Sequence, residues 1–154
     1  MSQPPPPLPS GWSQPGASHA DRAGFGSRLG GVLIDGLVLL VPNLIVQSTS
    51  SLVASWVMGV AIRLAYEVYF IASPSGQTVG MRALGIRAID AQTGGRVDYG
   101  RAFVRVLMSY VSGIPCGLGY FWMLWDPERQ TWHDKVAGTY VVPVANHPVD
   151  RWPG

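Results

Sequence analysis

Charge is scarce in this chain. Asp, Glu, Lys and Arg together make up 13% of its 154 residues, about half of the roughly 25% usual in a soluble domain. The eleven Lys and Arg form no polybasic run, and nucleic-acid binding wants a basic face or stripe. No nucleic-acid partner is expected. Cysteine is almost absent. One residue, Cys116, excludes an internal disulfide and a cysteine-rich metal centre. Between Pro115 and Gly117 it reads as a small packing residue. A cleavable leader pattern is also lacking, because no basic start runs directly into an apolar core. The first apolar segment is therefore expected to remain in the mature protein.

What is present is segregation. Hydrophobic residues make up 47% of the chain, and they fall in long blocks with the polar residues pushed into the gaps. Residues 1–24 hold Pro4 to Pro7, Pro9 and Pro15 among Ser, Gly and Gln, a composition that cannot bury enough apolar surface to order itself. This stretch is expected to be a disordered cytoplasmic tail. Its P-x-x-P match at Pro4–Pro7 reads more simply as a polyproline tether than as a ligand for a recognition domain.

Residues 29–46 form the first apolar block, about 18 residues containing Asp35, Pro42 and Asn43, near the lower limit for crossing a hydrocarbon core of roughly 30 Å. A short uncharged turn leads to the second block, residues 52–72, interrupted by Arg63 and Glu67. Two such blocks around a tight turn predict a transmembrane helical hairpin. Trp56 at one end, with Tyr66, Tyr69 and Phe70 at the other, suits interfacial aromatic belts.

Residues 73–100 are polar and glycine-rich. Thr78–Leu84 suggests a short interfacial helix. Gly85–Asp90 and Arg96–Tyr99 alternate apolar and polar around Gln92-Thr-Gly-Gly95, which predicts a β-hairpin. The third hydrophobic stretch, residues 102–125, carries Arg105 near its start and Ser112-Gly-Ile-Pro-Cys-Gly-Leu-Gly119 in its middle. A proline among glycines breaks or kinks a helix there. Gly138–Pro143 reads as one more strand, and residues 144–154 as a C-terminal tail.

Arginine placement sets the expected orientation. The loop after the second block holds Arg82, Arg87, Arg96 and Arg101, whereas the turn between the first two blocks is uncharged. The positive-inside rule puts the N-terminus and the long loop in the cytoplasm. One clean crossing by the third stretch puts Asp134 outside; a re-entrant hairpin returns it to the cytoplasm. Arg129, Lys135 and the chance for the last strand to pair with the loop favour the re-entrant form.

A charge inside the hydrocarbon costs at least about 2.5–3.5 kcal/mol on insertion scales, so it is kept with a partner or a task. At about 1.5 Å per residue, Asp35 lies roughly 9 Å in, Glu67 roughly 8 Å and Arg63 roughly 13 Å. Arg28 shares a helix face with Asp35, and Arg105 comes to a similar depth. Arg28, Asp35, Arg63, Glu67 and Arg105 are thus expected to share a pocket in the inner half of the bilayer. Two readings of that pocket stand. In one, Asp35 pairs with Arg63 or Arg28 as a structural ionic lock. In the other, Asp35 titrates, pulled up by burial and down by arginine, as a proton-coupled ion site needs.

Other patterns are weaker. Gly24-Phe-Gly26 with Gly30 lacks the strand and the spacing of a dinucleotide loop. His133-Asp134 has too few companions for a metal site. No nucleophilic triad emerges, so no catalytic residues, cofactor or enzyme activity is expected.

Four separated pieces resemble one family. Arg28-Leu-Gly-Gly-Val-Leu-Ile-Asp35, Gly76-Gln-Thr-Val-Gly-Met-Arg-Ala-Leu-Gly-Ile-Arg87, Arg101-Ala-Phe-Val-Arg105 and Thr131-Trp-His-Asp-Lys-Val-Ala-Gly-Thr139 are together similar to the RDD family of membrane proteins, spanning about Gly24 to Val142. The family is named for one arginine and two aspartates. Matched by position these are Arg28, Asp35 and Asp134, and a convergence of the three again favours the re-entrant form. Arg63 and Glu67 fall outside that triad. The resemblance implies a multi-pass cell-membrane protein, with transport in view because some members are described as sodium–proton antiporters.

The expected architecture is an all-α membrane domain over residues 25–143: a transmembrane hairpin, a broken or re-entrant third segment and a small cytoplasmic β element. Its expected partners are the lipid bilayer, a monovalent cation or proton, and further copies or a larger membrane complex, since one hairpin cannot enclose a pathway. The competing reading is a non-transporting membrane scaffold or assembly partner, with the buried charges as locks.

Overall fold

The computed structural model of the protein describes residues 22–49, 51–113 and 117–147. The proline-rich stretch through Pro15, the Pro115-Cys116 pair and the last seven residues lie outside the described residues.

Two long helices dominate, α1 (Phe25–Thr49) and α2 (Leu52–Ile71). At 25 and 20 residues they measure about 37 and 30 Å, enough to cross a bilayer. Both are apolar enough for a membrane span by composition. Their apolar side chains point outward rather than inward: Leu37 is 67% exposed and Leu52 76%, a surface that water does not tolerate over such an area. Along α1 the buried positions recur every four residues at Gly31, Asp35 and Leu39, the single stripe of a helix packed on one side. Pro42 sits inside α1. Beside it the Asn43 side-chain amide donates to the Leu39 carbonyl at 2.7 Å. The turn into α2 is closed by Ser51, whose hydroxyl accepts the Ala54 N–H.

The segment after α2 doubles back under the hairpin. Gly76 takes a left-handed φ of 62° and lies so close to the Ala88 carbonyl that a Cβ has no room. Thr78 then caps α3 (Val79–Ala83), which packs against α1. Strand β1 (Ile86–Asp90) follows, and the chain enters α4 (Tyr99–Gly113). Past the undescribed 114–116, α5 (Leu118–Phe121) and a short 3-10 turn at Trp122–Leu124 run at 113° to α4. The chain ends in α6 (Trp132–Ala137) and β2 (Thr139–Pro143).

β1 pairs antiparallel with β2, in register from Ile86 opposite Pro143 to Asp90 opposite Thr139. This corrects the expected β-hairpin with Arg96–Tyr99. The reason lies in two aspartates. The Asp90 carboxylate accepts the N–H groups of Gln92 and Thr93 and curls the chain away. Asp98 accepts the Arg101 N–H at 3.0 Å and so starts α4, a helix-capping signal lying inside the alternating pattern. The apolar core sits below the hairpin. Ile71, Ala72, Ala88, Val97, Ala102 and Val106 form one cluster, and Ala23, Ile86 and Val141 a smaller one. The fold is therefore mostly helical, with two apolar helices standing on a compact base.

Candidate functional site

The base presents a charged cluster to the inner side of α1. Asp134 lies in the first turn of α6 with no solvent exposure. Thr131 and Asp134 form a reciprocal capping box, so the carboxylate is aimed before any tertiary contact is made. Arg28, from the first turn of α1, donates to Asp134 Oδ2, and Arg105, from α4, donates to Oδ1. Thr139 Oγ1 adds a donor to Oδ1 at 3.3 Å and accepts from Arg105 at 3.0 Å. The other arm of Arg28 reaches the Arg129 carbonyl at 3.0 Å, and Arg129 holds a positive φ of 51°. Burial alone pushes the Asp134 carboxyl up, but the Arg105 and Arg28 guanidiniums outweigh it and hold it well below the usual carboxylate range. Asp134 is a fixed anion between two cations.

His133, one residue earlier, faces the same interior. Its Nδ1 lies 3.4 Å from the Ser112 hydroxyl, whose own hydrogen goes to the Met108 carbonyl at 2.9 Å. The hydroxyl must then accept, which assigns the proton to Nδ1. Burial, reinforced by Arg105 and Arg28 against the pull of Asp134, lowers the His133 pKa to about 3. The imidazole is neutral at ordinary pH.

Asp35 is held differently. Tyr66 donates to Oδ1 at 2.7 Å, the Gly80 N–H to Oδ1 at 2.8 Å, and Thr78 to Oδ2 at 2.6 Å. All three donors are neutral. Two of them also organise α3: the Thr78 hydroxyl accepts the Met81 N–H and the Tyr66 hydroxyl accepts the Val79 N–H. α3 approaches α1 closely because Gly80 rests against the Gly31 carbonyl, where no Cβ fits. On α2, Arg63 Nε pairs with Glu67 Oε1 at 2.6 Å, and the guanidinium lies 5.1 Å from the Tyr110 ring centroid.

Arg28, Asp35, Arg63, Glu67 and Arg105 all line one cavity of about 740 Å³, with His133 at its wall. The five residues expected to share a pocket do border a common space, but the pairing differs from the sequence reading. Arg28 meets Asp134 rather than Asp35, and Arg63 meets Glu67. The residues that sequence reasoning missed are Tyr66, Thr78 and Gly80 around Asp35, and Thr131 and Thr139 around Asp134. Thr131-x-x-Asp134 carried a readable capping signal. The others are donors of common type with no local signature. Among the described residues, no three His, Cys, Asp or Glu side chains converge as metal ligands.

A model of the RDD family matches residues 22–138. The chain belongs to the RDD family. Among related RDD-type proteins, a proline-rich antigen of Mycobacterium leprae is 29% identical over 90 residues, covering 58% of this chain and 36% of the relative. A proline-rich antigen homolog of Mycobacterium tuberculosis is 32% identical over 92 residues, covering 58% and 38%. The chain thus spans under two fifths of the length of these mycobacterial relatives. The Bacillus subtilis protein YckC is 31% identical over 134 residues, covering 77% of this chain and 83% of its own. No solved structure matches the chain. Family membership and the two apolar helices make this an RDD membrane protein, and the cluster Arg28–Asp134–Arg105 includes the arginine and one aspartate that the family resemblance singled out.

Proposed function

We propose that this RDD protein carries a monovalent cation in exchange for protons across the cell membrane, with Asp35 as the group that takes up and releases the proton. One observation carries the reading. Of the two aspartates of the RDD triad, Asp134 is neutralised by two guanidiniums, whereas Asp35 borders the cavity with neutral donors only. A carboxylate without a permanent countercharge in an apolar setting is the one whose charge state a mobile cation or proton can decide.

The hydrogen bonds suggest where the proton goes. Oδ1 receives two donors, one of them the Gly80 N–H, which cannot reverse. Oδ2 receives the Thr78 hydroxyl, which can turn to accept. In this scheme a proton taken up on Oδ2 is donated to the Thr78 oxygen, whose own hydrogen turns away from the carboxylate. In this scheme the Arg28–Asp134–Arg105 clamp is the fixed cytoplasmic wall, and Arg63 with Glu67 lies on the pathway. The N-terminus and arginine-rich loop face the cytoplasm, and the bent α4–α5 segment is re-entrant. That topology is supported by the ties from Arg28 and Arg105 to α6, which draw both flanks of the bent segment to the α1 entry. A pathway of this size requires several copies.

A second reading has its own support: each aspartate of the triad already fastens an element, Asp35 seating α3 and Asp134 seating α6. In that reading the protein is a non-transporting membrane scaffold. Cation-driven proton movement in proteoliposomes, with wild-type and Asp35→Asn protein, separates the two. Transport that is lost in Asp35→Asn, while that variant keeps its melting behaviour in detergent, supports exchange. No transport by wild-type protein overturns exchange and leaves the scaffold.

A further inference from the structure

The outer side of the α2–α4 junction carries a second depression, of about 330 Å³, away from the charged cavity. Its floor is Ala61, Leu64, Ala65 and Val68 of α2, one stripe at helical spacing, and the two alanines make it concave. Tyr69 of α2 and Tyr99 and Phe103 of α4 close the end nearest the base. From Ala61 to Tyr69 the groove runs about 12 Å along α2. It opens outward from a helix that is long and apolar enough to span the bilayer.

At its base-side end stands Arg96. Its Nε donates to the Ala72 carbonyl at the close of α2, and its guanidinium lies 5.8 Å from the Tyr99 ring centroid. The two terminal nitrogens make no hydrogen bond to any described residue, and no described carboxylate pairs with Arg96. Its acidic neighbour Asp98 is taken by Arg101 at 3.4 Å. Arg96 is thus an exposed, oriented cation at the level where the spanning helix ends, with its two-pronged face unused.

We propose that this groove is a binding site for one anionic phospholipid, with an acyl chain along Ala61–Val68 and the phosphate on the terminal nitrogens of Arg96. Guanidinium grips phosphate with two parallel hydrogen bonds, and basic residues at the inner ends of membrane helices select acidic headgroups. The same groove is a poor seat for a second copy. A two-fold axis along the bilayer normal puts the two Arg96 side chains at one level, with no described carboxylate paired to either. The site is independent of the exchange reading, because none of its residues borders the charged cavity.

The experiment is native mass spectrometry of the full chain released from detergent after incubation with phosphatidylglycerol, phosphatidylcholine or glycerol 3-phosphate. Retention of phosphatidylglycerol about tenfold above phosphatidylcholine is expected, with no adduct from glycerol 3-phosphate. Arg96→Gln should bring the two lipids level. Ala65→Phe fills the groove from an exposed position that supports nothing in the core, and should remove both lipids while the melting temperature holds. Equal retention of the two lipids by wild-type protein overturns the proposal. So does phosphatidylglycerol retention that survives Ala65→Phe, or a glycerol 3-phosphate adduct lost in Arg96→Gln, which makes this an anion site without a lipid. A dimer that Ala65→Phe dissociates, in place of a lipid adduct, likewise overturns it.

Discussion

Arg28 and Asp134 stand 106 residues apart in sequence and share a charge-assisted hydrogen bond in which the aspartate has no solvent exposure. Because Arg105 holds the other carboxylate oxygen, the three residues bind the entry of α1, the flank of α4 and the start of α6 at one point. Replacing the aspartate leaves two buried guanidiniums facing each other with no countercharge between them. Asp134→Asn is therefore expected to cost about 3–5 kcal/mol, the range for breaking a buried pair from one side. Unfolding in mixed micelles of rising denaturing-detergent content measures it, and a loss under about 1 kcal/mol contradicts the burial argument.

The capping box at α6 predicts a smaller effect. Thr131→Ala removes the hydroxyl that accepts the Asp134 N–H and is expected to cost about 1 kcal/mol, within the usual range for a lost N-cap. Thr131→Ser keeps the acceptor and should restore most of that stability in the same assay.

Acid should destabilise the protein well above the range where ordinary carboxylates titrate. Burial lowers His133 to about 3 in the folded state, whereas an exposed histidine titrates near 6.5. Below about pH 6.5 the unfolded chain takes up a proton that the folded chain refuses, so stability falls as pH drops, by at most about 1.4 kcal/mol per unit, until roughly pH 3. Asp134, also lowered, adds a loss in the same direction below about pH 4. Melting temperatures between pH 7 and pH 4.5 test this. His133→Gln should flatten the slope over that interval, and an unchanged slope removes His133 as its source.

Gly80→Ala tests the seating of α3. A Cβ there meets the Gly31 carbonyl and comes within 2.9 Å of the Asp35 carboxyl carbon, so α3 must move off α1. A loss of about 1–3 kcal/mol is expected, as for other overpacked contacts, with the Asp35 hydrogen bonds disrupted. Gly26→Ala is the control, since a Cβ there meets nothing within 4 Å. Equal effects from the two substitutions would show that the close approach of α1 and α3 does not matter.

The hairpin was readable from the sequence because a bilayer leaves long apolar runs few choices. The burial of Asp134 was not, since Thr131 to Lys135 is polar and polar segments are ordinarily surface; only the distant Arg28 and Arg105 make its burial tolerable. That Asp35 turns to the inside of α1 was legible, and its partners were not. Matching heights across α1 and α2 ignored α3, which returns beneath the hairpin and supplies Thr78 and Gly80. Strand β1 was legible as a strand, and the chance that the last strand pairs with its loop was legible too; what failed was the local hairpin with Arg96–Tyr99, because β1 pairs with β2 instead.

The pairing of β1 with β2 has a consequence for assembly during synthesis. The Ala23 N–H donates to the Val141 carbonyl at 2.9 Å, so the segment leading into the first membrane helix is fastened by the last strand. α1 and α2 can enter the bilayer as soon as they leave the ribosome, but the base beneath them stays open until residue 143 has emerged. A ribosome stalled before α6 emerges would hold an inserted hairpin with Arg28 unanswered, while Arg63 keeps Glu67 within its own helix.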